Sequence, residues 1–392
     1  MPTKPQAVVI GAGFTGCAIA HDLALRGFAV TVLERGEISS GTSGRTHGLL
    51  HSGGRYCVTD QEAGIECIEE NIILRRIARQ CIEFNGGLFV ALNEEDAAYG
   101  ERFAAGAEAC HIPTEKLSTR QALDLEPALN PKILCAYTVP DGAFDPLRLA
   151  LAFAATARKN GAQFFPYHEV EGMCFDGKGN ITGVKVWDRT GDRRYELHGD
   201  IVINATGAWA GRLAEMAKVN VAVIPTPGVM VAYDQRLSQH VINRLCEPAD
   251  GDIIIPQRRM SVIGTTSFEV KDPDYIPVVA EQVEEMHRRA VELLPGIAQA
   301  KMRGAYMSAR PLIGSATAGR SISRTFVCYD HAEQSVEGLV SITGGKATTC
   351  RAMAEKTVDL VCRKMGIPAV CQTRDIPLES YRDYYRKSEE SL

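Results

Sequence analysis

Two periods of apolar and polar residues alternate along this chain. Gln6–Ile10 and Ala29–Leu33 are short apolar runs that read as buried strands, and Cys17–Gly27 between them has the spacing of a helix. A second helical pattern covers Glu62–Phe84, where Ile65, Ile68, Ile72, Leu74 and Ile77 form an apolar stripe that ends at Gly86-Gly87. Leu88–Leu92 predicts a strand, and Glu94–Ala109 and Ser118–Leu125 predict helices. Asp145 followed by Pro146 is an N-cap with proline at the first helical position, so a helix is expected to about Asn160, with Gly161 as its stop. Strands are expected at Gln163–Phe165, Val170–Phe175, Ile181–Asp188 and Arg194–His198. A buried strand over Asp200–Asn204 precedes a helix over Ala210–Ala217. Val221–Tyr233, Asp252–Pro256 and Ser261–Thr266 alternate as strands of an antiparallel sheet do. An amphipathic helix over Val278–Leu294 follows, then strands at Ala300–Ser308, Thr325–Tyr329 and Gly338–Ile342 and a last helix over Thr349–Met365.

The turns between these elements carry the first chemistry. Gly11-Ala12-Gly13-Phe14-Thr15-Gly16 joins the first strand to its helix, and the second strand ends at Glu34. Strand, Gly-rich turn, helix, strand and acid in that order make a dinucleotide fingerprint. Gly11 permits the tight turn, Gly13 lets a pyrophosphate approach the backbone, and Gly16 lets the helix lie close to the sheet. The helix N-terminus offers N–H groups and partial positive charge to phosphates. Glu34 suits ribose hydroxyls and disfavours a 2′-phosphate. Ala205-Thr206-Gly207 closes a second strand with small residues, and Thr343-Gly344-Gly345-Lys346 closes a third. Nucleotide elements thus recur at the start, middle and end of the chain. The expected fold is α/β, a discontinuous Rossmann-like domain (residues 1–85, 141–220 and 305–370). An inserted α+β substrate domain on an antiparallel sheet takes residues 86–140 and 221–304, and 371–392 form a tail.

Composition narrows the class. A chain of 392 residues is long enough for two domains, and a net charge of −5 provides no basic field for nucleic acid. No apolar run is long enough to span a bilayer, and Met1-Pro-Thr-Lys-Pro leads straight into the first strand without a signal-peptide pattern. A cytoplasmic protein is expected. The 12 cysteines include no CxxC pair, so reduced, mostly buried thiols are expected and no metal.

Between Glu34 and the long helix lies a stretch rich in Gly, Ser and Thr, Gly41–Tyr56. A solvated linker has no need of Leu49-Leu50 or Tyr56, and small hydroxyl residues beside a nucleotide site supply donors to phosphates. Taken with Gly11–Gly16, Glu34, the Ala205-Thr206-Gly207 turn and Gly344-Gly345-Lys346, it resembles the FAD-dependent amino-acid oxidase and glycerol-3-phosphate dehydrogenase superfamily. The runs His51–Tyr56, Arg310-Pro311-Leu312 and Thr343–Lys346 look like the flavin-dependent glycerol-3-phosphate dehydrogenases. Gly48–Tyr56 matches the Gly-Leu-Leu-His-Ser-Gly-x-Arg-Tyr run of the anaerobic A subunits. The likeness extends to about Cys371. Two departures stand out: no cysteine cluster replaces the family's C-terminal cysteine-rich module, and Ser308-Ala309 and Ala347 differ from the commonest family letters.

The resemblance implies FAD and oxidation of sn-glycerol 3-phosphate to dihydroxyacetone phosphate, with hydride transfer to flavin N5. Electrons then pass to a quinone or to partner subunits, which would place the chain peripherally on the inner face of the cell membrane. It implies flavin contacts from Phe14, Thr15, Arg35, Thr42, Ser43, Thr46, Gly48 and Leu49. Further contacts are implied from Val170, Trp209, Gly344, Gly345, Lys346, Ala347 and Thr348. The residues themselves support part of this. A phosphate dianion needs fixed cations, and Arg55, Arg310 and Lys346 each sit at a strand-to-loop junction flanked by Gly or Pro. A surface ion pair is the ordinary role of any one of them; three at flavin-proximal junctions point to substrate, with Tyr56 beside Arg55. The reaction also needs a base of near-neutral pKa, and His51 alone of nine histidines matches the family's catalytic position, with His47 in reserve. Arg310 and Lys346 complete the expected catalytic set, Lys346 as a cation near the flavin N1–C2=O edge. The alternatives are a flavin oxidase or dehydrogenase of a 2-hydroxy or amino acid, for which one arginine would suffice, a flavin oxidase that passes its electrons to O2, and a FAD-stabilised binding or assembly protein.

Overall fold

The first strand, Gln6–Ile10, buries both faces: Ala7 and Val9 enter one hydrophobic core, Val8 and Ile10 another. Such a strand belongs inside a sheet covered on both sides. The computed structural model, which describes residues 4–277, 279–313 and 325–386, places it near the middle of six strands. Their order is Phe326–Asp330, Leu339–Gly344, Ile201–Asn204, Gln6–Ile10, Ala29–Glu34 and Gln163–Pro166. All pairs are parallel except the first, which is antiparallel. Helices Phe14–Leu25, Pro146–Lys159 and Cys350–Met365 cover one face. A three-stranded antiparallel meander, His168–Phe175, Ile181–Asp188 and Arg193–His198, covers the other with the short helix Ala210–Met216. Asp145 caps the second of these helices, accepting from the Arg148 N–H, and Pro146 takes its first turn.

The second layer is an eight-stranded sheet. Its order is Met302–Leu312, Ile224–Tyr233, Met260–Gly264, Ile253–Gln257, Val241–Arg244, Gly87–Ala91, Cys135–Val139 and Lys116–Ser118. It is antiparallel except where Val241–Arg244 runs parallel to Gly87–Ala91. Helix Ala280–Leu293 packs Met286, Ala290 and Leu293 on one part of it, and helix Glu94–Ala109 packs Phe103 and Ala107 on another. The expected α/β plus antiparallel architecture is present. The strand expected at 300–308 is longer, and it pairs along its length with Ile224–Tyr233, from Met302–Tyr233 to Leu312–Ile224. A domain boundary at 304/305 therefore falls inside a strand, and residues 305–312 lie with the antiparallel sheet.

The helix expected over Glu62–Phe84 ends at Ile77. A 3-10 turn, Arg79–Cys81, follows, and Ile82–Glu83 pairs with Gly142–Phe144 in a small sheet that also holds Leu49–Leu50. The buried face of this helix keeps Ile68, Leu74 and Ile77 of the aliphatic stripe but leaves Ile72 60% exposed, and it takes Glu70 and Asn71 inside. The described part of the tail is not loose, since the Leu378 N–H donates to Ile77 O and Tyr384 is buried in the core of the nucleotide layer. The helix expected over Val278–Leu294 is observed as Ala280–Leu293. Val278, residues 1–3 and 314–324 of the expected nucleotide segments, and 387–392 of the tail lie outside the described residues.

Candidate active site

One long cleft runs between the two layers. It consists of two cavities, of about 690 and 540 Å3, that share Gly13, Thr42, Ser43, Ala205 and Gly207 as walls. At one end Gly11 turns the chain with φ +99°, and a Cβ there would stand 2.8 Å from Ala205 O. A Cβ at Gly16 would overlap Gly11 O, so this glycine keeps the helix close to the sheet as expected. Gly13, at the N-cap of helix Phe14–Leu25, has no side chain to cap it, and the Phe14 N–H donates to Ser43 Oγ at 3.0 Å where both line the cavity. Glu34 accepts from the N–H groups of Ala12 and Gly36, both at 2.9 Å, which holds its carboxylate at the edge of the cleft. Arg35, Val170, Thr206 and Trp209 complete this end, Arg35 lying 4.5 Å above the Trp209 ring. Asp274, on the segment after strand Met260–Gly264, accepts from Arg35 (2.6 Å), Arg212 (2.6 Å) and Trp209 Nε1 (2.9 Å). The donor-rich, acid-tipped shape fits an extended dinucleotide.

The other end is lined by His47, His51, Arg55, Tyr56, Arg310 and Lys346. Phe14, Thr15, Thr46, Leu49, Gly344, Gly345 and Ala347 line the same cavity. Gly344 (φ +88°) and Gly345 (φ +66°) turn the chain sharply out of strand Leu339–Gly344, a conformation that excludes most side chains and presents Lys346 to the cavity. Lys346 Nζ sits 4.8 Å from the Tyr56 ring centre, and the His51 ring sits 5.4 Å from the same ring. Arg55 is nearly buried and pairs with Asp252 at 3.1 Å. Burial works against its charge, but Asp252 overrides that and raises its pKa. Arg310 donates to Thr226 O (3.2 Å), Thr266 O (2.9 Å) and Ser267 Oγ (3.0 Å), which fixes its fork on the antiparallel sheet. Three threads stitch that strand to the Gly-rich stretch. Thr42 Oγ1 donates to Ala309 O (2.6 Å), Ser308 Oγ to Arg45 O and the Tyr306 hydroxyl to Thr46 O.

All expected substrate and catalytic residues therefore meet in one cavity, and all expected cofactor residues line the cleft except Gly16, Gly48 and Thr348. Gly48 (φ +78°) lies behind the wall, where a Cβ would strike Gln257 and Phe144 O. Thr348 is fully buried and its hydroxyl accepts from the His51 N–H at 3.1 Å. It is thus a prop for His51. Two more props were not foreseen from the sequence. Asn71 Nδ2 donates to the carbonyls of Leu50, His51 and Pro140 (3.3, 3.0 and 3.1 Å), and Asp141 accepts from the Ser52 N–H (2.7 Å) and Asn243 Nδ2 (3.2 Å). Burial raises the Asp141 pKa, opposed by those donors and by Arg55. The only sequence signal for Asn71 was a polar residue beside the apolar stripe. His47 differs from its reserve role. Its Nδ1 accepts from the Leu49 N–H at 3.1 Å, and burial, with Arg55 and Arg310 nearby, lowers its pKa to about 3.

Comparison with known proteins agrees with this cleft. The chain is 44% identical to the A1 subunit of the anaerobic glycerol-3-phosphate dehydrogenase of Haloferax volcanii, over 98% of this chain and 68% of that one. It is 42% identical to the corresponding protein of Escherichia coli, the A subunit of its anaerobic glycerol-3-phosphate dehydrogenase, over 95% and 69%. Among solved structures it superposes on the glycerol-3-phosphate dehydrogenase of Bacillus halodurans, complexed with FAD, with a TM-score of 0.74 and 26% identity, covering 96% of this chain and 68% of that one. The family model for FAD dependent oxidoreductases, DAO, matches residues 6–355, and the chain belongs to that family.

Proposed function

We propose that this chain is a FAD-dependent glycerol-3-phosphate dehydrogenase that oxidises sn-glycerol 3-phosphate to dihydroxyacetone phosphate. The observation that carries the reading is the convergence of Arg55, Arg310 and Lys346 with His51 on one cavity that opens into the nucleotide cleft. The named activity of relatives more than 40% identical over nearly the whole chain supports it. The bound flavin supplies the two-electron acceptor for the carbinol carbon. The protein's part is to bind, orient and move a proton. Arg55 and Arg310 hold the phosphate, each pinned by its own protein partners so that little side-chain entropy is lost on binding. His51, its backbone fixed by Thr348 and Asn71, takes the hydroxyl proton as the carbon is oxidised. Lys346, over the face of Tyr56, places positive charge where negative charge grows.

In this reading the parallel-sheet layer holds the cofactor and the antiparallel layer supplies Arg310 and the substrate wall. Glu34 and the glycines of the first turn serve the ribose and pyrophosphate. Electrons leave to partner proteins of the same complex, in keeping with the relatives' names as members of multi-chain enzymes. Those partners would provide the attachment to the inner face of the membrane. No helix of the described residues is long and apolar enough to cross a membrane. All 12 cysteines are free thiols, which suits a reducing cytoplasm.

A dye-linked assay across glycerol 3-phosphate, glycerol, a 2-hydroxy acid and an amino acid tests the substrate. Turnover of glycerol 3-phosphate, with glycerol weaker by about a thousandfold or more in kcat/KM, is expected, because glycerol offers no dianion for the charge-assisted bonds of the two guanidinium groups. Preference for a carboxylate substrate would refute the phosphate assignment.

A further inference from the structure

His47 sits in the substrate cavity, yet its surroundings do not suit a base. It belongs to the Gly-rich stretch but leans on the antiparallel sheet: a Cβ on Gly264 would stand 2.9 Å from its Cδ2, and its carbonyl accepts from Gln257 Nε2 at 2.6 Å. Its ring lies 6.1 Å from that of His51. The Leu49 N–H donates to its Nδ1, so in the neutral ring the proton resides on Nε2. Nε2 makes no hydrogen bond among the described residues, in a cavity whose walls include Arg55 and Arg310. An N–H donor beside two guanidinium groups faces the place where an anion binds.

We propose that His47 is a third ligand of the substrate's phosphate, donating from Nε2 to a phosphate oxygen alongside Arg55 and Arg310 without taking up a proton. This rests on the glycerol 3-phosphate reading of the cavity. It separates two histidines four residues apart: His51 moves the proton, and His47 binds. The lowered pKa agrees, since the two arginines and burial keep the ring neutral across the working range, so its donor capacity does not vary with pH. A neutral donor also completes the phosphate's hydrogen bonds without a third full charge, which would need a further buried counter-ion.

The test uses the FAD-loaded protein. His47→Leu removes the donor at similar volume, and His47→Gln keeps an N–H near the same place. The readouts are kcat and KM for glycerol 3-phosphate, and the dissociation constant of inorganic phosphate from the shift of the flavin spectrum. His47→Leu is expected to raise both KM and the phosphate constant about 10- to 100-fold, with kcat and its pH profile within about threefold of the parent. His47→Gln is expected to recover most of the binding. A second measurement needs no folded variant. The 15N signals of His47 in the wild-type holoprotein should show a neutral, Nε2-protonated ring from pH 6 to 8 that shifts on adding phosphate. Unchanged phosphate binding in His47→Leu overturns the proposal. So does a collapse of kcat with the binding constants intact, or a His47 signal indifferent to phosphate. If the wild type binds phosphate through His47 but does not oxidise glycerol 3-phosphate, the substrate reading fails and the anion site stands.

Discussion

Tyr56 touches both groups that do most of the proposed work, with Lys346 over its face at 4.8 Å and the His51 ring 5.4 Å away. His51→Ala is expected to lower kcat by about 10^2- to 10^4-fold, with the FAD content unchanged, because a positioned base contributes that much and the cofactor cradle is built elsewhere. Full activity in that variant, measured by dye reduction, would remove His51 from the mechanism. A different histidine contributes to acid sensitivity. His21 is buried on helix Phe14–Leu25, neither ring nitrogen has a hydrogen-bond partner, and burial pushes its pKa down to about 4. The unfolded chain binds a proton there from about pH 6.5 downwards and the folded chain does not. The contribution of this one group to stability is therefore full above pH 6.5 and is lost as the pH drops towards 4, by about 2 kcal/mol at pH 5. Urea midpoints at pH 7 and pH 5 should show this loss, and His21→Leu should flatten it; an equal slope in the variant would assign the acid sensitivity elsewhere. The chemical residues themselves were legible in the sequence, because Arg55, Arg310 and Lys346 stand next to Gly or Pro, although Arg310 lies within strand Met302–Leu312 and not at a strand-to-loop junction. Their partners were not: Arg55 finds Asp252, just ahead of strand Ile253–Gln257 and far along the chain, and only the fold brings the two together.

At the scale of elements, helix Gln61–Ile77 shows why periodicity misled. Its apolar stripe suggested an ordinary core helix, yet it turns Asn71 and Glu70 inward. Asn71 ties down three carbonyls around His51, and Glu70 pairs with the fully buried Arg351 at the start of the last helix. The sequence presents both as polar interruptions because their acceptors lie in other segments. Asn71→Leu strips a donor from three carbonyls. It is expected to cost about 1 to 3 kcal/mol of stability and to lower kcat more than it raises KM. A kcat equal to the wild type's would show that His51 holds its place without this prop. The segment bearing Asp274 offers another test. It reaches from the antiparallel sheet across the cleft and joins Arg35, Arg212 and Trp209. Removing its carboxylate in Asp274→Ala is expected to speed FAD release about tenfold, read by the rise of free-flavin fluorescence after dilution. An unaltered release rate would mean that these bonds do not retain the cofactor.

For the molecule as a whole, the cleft exists because two layers of different construction both contribute to its walls. The parallel layer was readable from its buried strands and their Gly-rich ends. The antiparallel layer was harder, since Lys116–Ser118, Cys135–Val139 and Val241–Arg244 are short and carry little alternation of their own; only pairing within eight strands makes them strands. The same reason hid the true extent of Met302–Leu312, whose pairing with Ile224–Tyr233 carries Arg310 to the cavity. The central claim is that this shared cleft brings glycerol 3-phosphate to FAD. It is tested most directly by mixing the FAD-loaded protein with sn-glycerol 3-phosphate without oxygen and following the oxidised flavin band. Rapid, complete bleaching by glycerol 3-phosphate is expected, with loss of it in Arg55→Ala and no comparable bleaching by glycerol or by a carboxylate substrate. Bound flavin that stays yellow with glycerol 3-phosphate would contradict it.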